Sequence, residues 1–91
     1  MKDKIQPLHY AIMKEFLDGR ARSSKDVIES LSLLYSSSKL FTIKDVSETL
    51  ATAKENGVLE EAGYYLDRNK ELVIQYKITP FGKSMIERYL G

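Results

Sequence analysis

Apolar residues recur along most of this chain at three- and four-residue spacing, and in one stretch they give way to strand-like runs. Ile5, Leu8, His9, Ile12, Met13, Phe16 and Leu17 make a broad stripe that predicts a first helix over 4–18, with Gly19 closing it. Pro7 is tolerated there because it falls in the first turn. Ser23 or Ser24 then caps a second helix over 25–35, whose stripe is Val27, Ile28, Leu31, Leu34 and Tyr35. Leu33 falls off that stripe. Thr42 opens a third helix, with Asp45 in the capping-box position and Phe41 and Val46 placed to staple the first turn. Ile43, Val46, Leu50 and Ala53 form its apolar face, and Asn56-Gly57 stops it.

Beyond that stop, 64–67 and 71–78 are rich in aromatic and β-branched residues and read as two strands around Arg68-Asn69-Lys70. Tyr64 and Tyr65 should fall on opposite faces, one in the core and one exposed; the exposed ring is available to stack on a base or a partner, although packing across the strands against Val73 or a neighbour is the commoner use. Thr79-Pro80 caps a short last helix with Phe81, Met85, Ile86, Tyr89 and Leu90 on its apolar side. The patch Ser36-Ser37-Ser38-Lys39 is a connection too short to divide domains, so 1–91 is read as one domain.

Composition narrows the class. With 43% hydrophobic and 30% charged residues, the chain is too apolar for general disorder and too polar for a membrane protein. No apolar run approaches the roughly 20 residues that span a bilayer, and Met1-Lys2-Asp3-Lys4 lacks the apolar stretch of a secretory signal. Cysteine is absent, which removes disulfides and thiolate metal sites and fits a cytoplasmic protein. The formal charge is only +1, so any basic surplus must be local.

The order helix, helix, helix, strand, strand, helix, with its Asn-Gly stop and basic-tipped ribbon, resembles the winged helix-turn-helix superfamily. The junction Tyr76-Lys77-Ile78-Thr79-Pro80-Phe81-Gly82-Lys83 looks like the ribbon-to-helix junction of small bacterial repressors of the phenolic-acid and multiple-antibiotic-resistance types. The resemblance implies an α+β fold: a three-helix core, a two-stranded β-hairpin wing and a short C-terminal helix. It also implies double-stranded DNA as partner, with the third helix in the major groove and the wing on the backbone or in the minor groove. Carried onto this chain, the phosphate contacts are Arg20, Arg22 and Lys25 at the start of the second helix, Lys39 and Lys44 near the third, and Arg68 and Lys70 on the wing tip. Ser47 and Thr52 are the candidates for contact with base edges.

The outward face of the third helix carries Lys44 against Asp45, Glu48 and Glu55, where a reading helix would show Arg, Lys, Asn or Gln. This keeps a second reading open, in which that acidic face docks on a basic protein. His9 is the sole histidine and is expected to be packed in the core, which makes a transition-metal site improbable. Glu60-Glu61 reads as a solvated pair in a connector. No phosphate-cradling loop and no nucleophile with its base is recognisable, so neither a cofactor nor catalysis is expected. The apolar arcs of the first and last helices, Tyr89 and Leu90 included, exceed what one small core needs, and predict a homodimer.

Overall fold

The computed structural model describes residues 8–35 and 41–90, with side chains to residue 88. Ile5, Pro7, the serine patch and Lys39 lie outside the described residues, as do the side chains of Tyr89 and Leu90. The elements run α1 (Leu8–Lys14), α2 (Ser24–Tyr35), α3 (Ile43–Glu55), β1 (Leu59–Leu66), β2 (Leu72–Ile78) and α4 (Pro80–Leu90).

The helices begin and end where local chemistry satisfies their unpaired backbone groups. At α2 the caps are reciprocal: the Ser23 N–H donates to Asp26 Oδ2 at 2.9 Å, and the Asp26 N–H donates to Ser23 Oγ at 3.2 Å. Thr42 caps α3 by accepting from the Asp45 N–H at 3.1 Å, while its hydroxyl donates to the Asp45 carboxylate. At the far end of α3, the Gly57 N–H reaches the Lys54 carbonyl and the Val58 N–H reaches the Ala53 carbonyl. That pair of bonds is a Schellman motif, and Gly57 sits at φ +80° as the motif requires. α1 ends four residues before the end its stripe suggested. After Lys14 the chain tightens into three-residue turns, with Glu15, Phe16 and Leu17 donating to Ile12, Met13 and Lys14.

One core gathers Ile12 and Phe16 from the α1 region, Val27, Leu31 and Tyr35 from α2, and Val46 and Leu50 from α3, with Leu59 and Tyr76 from the ribbon. Tyr35 and Phe41 stack at 6.1 Å and tie the end of α2 to the start of α3. The apolar stripes are narrower than their sequence pattern, since Leu34, Ile43 and Phe81 are exposed. In so small a domain the core fills before every apolar position on a helix is used. His9 is exposed too, so it is not the packed core histidine expected.

The ribbon pairs antiparallel from Leu59↔Ile78 to Leu66↔Leu72, with a bulge between Glu61 and Gly63. β1 therefore starts five residues before the apolar run that marked it. Glu60 and Glu61 belong to this strand and not to a connector. Lys77 stands directly opposite Glu60, and Lys54 of α3 meets Glu61 at 3.0 Å. Charged pairs of this kind let acids occupy a strand. Both Tyr64 and Tyr65 are exposed, against the expectation that one would be core. Arg22 adds a third, single-bridge strand: its N–H and carbonyl each bond Tyr76 at 2.8 Å.

Candidate nucleic-acid interface

Three elements converge on one cleft of about 250 Å³: Ser24 and Lys25 from the start of α2, Ile43 and Ser47 from α3, and Asp67, Glu71 and Leu72 from the wing. The wing is fixed there by its own turn. Asp67 Oδ1 accepts from the Asn69 N–H at 2.8 Å and the Glu71 N–H at 3.0 Å, and Lys70 takes the left-handed conformation, φ +63°. The other oxygen of Asp67 receives the Lys25 ammonium at 2.5 Å, so the wing is tied to α2 by an ion pair. Lys25 and the two wing N–H groups hold the Asp67 carboxyl below its usual range, and Asp67 raises Lys25 in return.

A second ion pair sits at the approach to α2. Arg22 grips Asp18 with both guanidinium nitrogens, at 2.8 and 2.7 Å. These hydrogen bonds, joined by one from the Arg20 N–H, pull the Asp18 carboxyl far below its usual range. Of the three cations grouped at the start of α2 by sequence, two are thus already paired. Arg20, Lys44, Arg68 and Lys70 are exposed and form no ion pair among the described residues. The charge available to a phosphate lies mainly on α3's first turn and the wing tip.

On α3 the outward arc holds Lys44, Glu48, Ala51, Thr52 and Glu55, all exposed. Ser47 and Thr52 lie on opposite flanks of it. Ser47 is half-buried in the wing-side cleft, whereas Thr52 lines a groove of about 620 Å³ between α1, α3 and α4. Five residues of helix place them about 140° apart. Glu48, between them, is the most forward side chain. The groove beside Thr52 is walled by Tyr10 and Met13 of α1, Ala53 of α3, and Met85 and Ile86 of α4, with His9 at its mouth. Sequence reasoning did not foresee this groove, because it is made by side chains from three helices far apart in the chain.

Helix, cap, Schellman stop, ribbon and returning helix define a winged helix-turn-helix domain. The crystal structure of Bacillus subtilis PadR in complex with operator DNA matches it with a TM-score of 0.72, at 18% identity, over 91% of this chain and 47% of that one. The chain therefore spans about half the length of that protein. No known family's sequence profile and no curated protein matches the sequence. Among the described residues no helix is long and apolar enough to cross a membrane.

Proposed function

We propose that this domain binds double-stranded DNA as a transcriptional regulator, with the forward arc of α3 toward the major groove and the start of α2 and the wing on the backbone. The observation that carries the reading is the convergence of these three elements on one cleft, with Lys44, Arg68 and Lys70 exposed on the α3 and wing segments that contribute to it. The match to a DNA-complexed winged helix over 91% of the chain supports it. Arg20, Lys44, Arg68 and Lys70 take phosphates directly. Arg22 and Lys25 act mainly by holding the approach to α2 and the wing in place, and Ser47 and Thr52 offer hydroxyls to base edges. The role is binding and not catalysis.

Four phosphate contacts per domain give weak affinity, so two copies on adjacent half-sites are part of the reading. The α1 and α4 walls of the groove, with Tyr10, Met13 and Met85, are the surface through which they pair, because these side chains have no cover among the described residues, and this leaves the α3 rim with Thr52 to the DNA. One observation favours the other reading: Asp45, Glu48 and Glu55 on α3 suit a basic protein surface better than a phosphate backbone. Fluorescence anisotropy with random duplex DNA across a salt series separates the two. DNA binding through these contacts gives a log–log salt slope of roughly −3 to −4 per domain. Absence of binding at low salt, with capture of a basic partner that competes at α3, would remove the DNA reading.

A further inference from the structure

The outer half of the wing carries apolar side chains that pair across the ribbon, and in Leu72's case edge the cleft, yet stay largely exposed. Leu66 and Leu72 are direct cross-strand partners and Tyr64 pairs with Ile74, so alternation puts Tyr64, Leu66 and Leu72 on one face of the ribbon. Their exposures are 77%, 63% and 60%. This is not a strand that lost its partner at the edge of a core. Nearer the base, the same face buries Tyr76 and partly buries Ile74, so the apolar strip runs from the core out to the tip. Just beyond the strip stand Arg68 and Lys70, both exposed and without an ion-pair partner among the described residues. Asp67, the nearest acid, is already bound to Lys25, which leaves Glu71 as the unpaired acid of the turn.

The turn at the tip of the strip is closed by the two N–H bonds to Asp67 and by Lys70 N–H to the Asp67 carbonyl, and the Lys25 ion pair links that turn to α2. A ribbon with leucines on one face and cations at its end has the form of an apolar wedge framed by phosphate contacts. Its two strands lie about 4.8 Å apart before side chains are counted, whereas a B-form minor groove is only about 6 Å wide. Entry therefore requires a widened groove and an opened base step.

We propose that the wing inserts Leu66 and Leu72 into the minor groove at a flexible pyrimidine–purine step, unstacking it and bending the duplex, while Arg68 and Lys70 hold the flanking phosphates. The proposal rests on the DNA reading above and adds a mode of recognition to it: sequence preference through deformability, at positions α3 does not touch. It also offers a route to selectivity for a domain whose forward helix face is acidic.

The test uses two duplexes with 2-aminopurine at the centre, one beside a TA step and one within an A-tract, each with a dye pair at its ends. Binding is followed by anisotropy, unstacking by 2-aminopurine emission and bending by energy transfer. The native chain should bind both, and raise emission and shorten the end-to-end distance only on the TA duplex. Leu66→Ser with Leu72→Ser alters two exposed positions, and its fold is checked by circular dichroism. It should keep the salt slope, lose the emission rise and bind the TA duplex about tenfold more weakly. Binding by the native chain without unstacking or bending overturns the wedge while leaving the DNA reading intact. Retention of the emission rise by the double variant overturns it as well. A native dimer that becomes monomeric in the double variant would assign the strip to a protein interface instead. Absence of DNA binding by the native chain removes both readings together.

Discussion

Gly82→Ala is the perturbation on which local propensity and tertiary packing disagree most sharply. Gly82 lies in the first turn of α4 at an ordinary helical backbone, where replacing glycine by alanine favours the helix by up to about 1 kcal/mol. A Cβ built at that position would lie 2.2 Å from the Val58 carbonyl oxygen and 2.9 Å from two further backbone atoms of Val58. Backbone cannot rotate aside, so α4 would have to retreat by about 1 Å to reach an ordinary contact. Overpacking of this kind costs about 1–3 kcal/mol, and a carbonyl pinned by neighbours belongs at the upper end. The retreat also strains the Thr79 junction. There the Thr79 N–H and hydroxyl both bond the Val58 carbonyl, at 3.0 and 3.1 Å, and the Gly82 N–H donates to Thr79 Oγ1 at 2.9 Å. After the propensity gain is subtracted, a net loss of about 2 kcal/mol remains. For a domain of this size that lowers Tm by roughly 8–16 °C. Thermal and urea unfolding by circular dichroism measure it. Gly57→Ala is the internal comparison: its Cβ meets only Phe81 Cδ2 at 3.8 Å, so its φ of +80° leaves a cost of about 1 kcal/mol. A Gly82→Ala protein as stable as the native one, or less perturbed than Gly57→Ala, would refute the close approach of α4 to Val58.

Arg68→Ala with Lys70→Ala should weaken binding to all duplexes alike and reduce the salt slope by roughly 2; a loss confined to one sequence at constant slope would assign base reading to the wing tip. Ser23→Ala removes a fully buried cap and one half of a reciprocal pair with Asp26, so it should cost about 1–2 kcal/mol in urea unfolding. An unchanged midpoint would mean that α2 starts without help from its cap. Asp18 and Asp67 are both depressed in the folded state, the first chiefly by Arg22 and the second chiefly by Lys25. Their stabilisation is complete above the unfolded carboxylate value of about 4 and is lost as pH falls through their lower folded values. Stability should therefore fall on acidification below about pH 4, and Asp67→Asn should flatten part of that limb; an identical acid profile in this variant would show that the Lys25 pair adds nothing. Light scattering at micromolar concentration should give a dimeric mass, and Met13→Glu in the groove wall should reduce it to a monomer; a native monomer that persists with DNA would remove the paired-domain arrangement.

The sequence by itself determined the parts of this protein that depend on neighbours in the chain. The caps at Thr42 and Ser23, the Asn56-Gly57 stop, the Thr79-Pro80 start of α4 and the order of elements all rest on hydrogen bonds and backbone preferences spanning a few residues. Those are legible without a fold. Tertiary structure decided which apolar positions the core had room for, leaving Leu34, Ile43, Phe81 and both wing tyrosines outside it. It extended β1 back to Leu59, because Glu60 and Glu61 find Lys77 and Lys54 across space. It also decided which cations remain available. Asp18 and Asp67 occupy Arg22 and Lys25, and nothing in a charge count distinguishes those two from Arg68 and Lys70. Pairing between residues four apart was within reach of the sequence, whereas the Lys25–Asp67 pair, 42 residues apart, exists only because the wing folds back against α2.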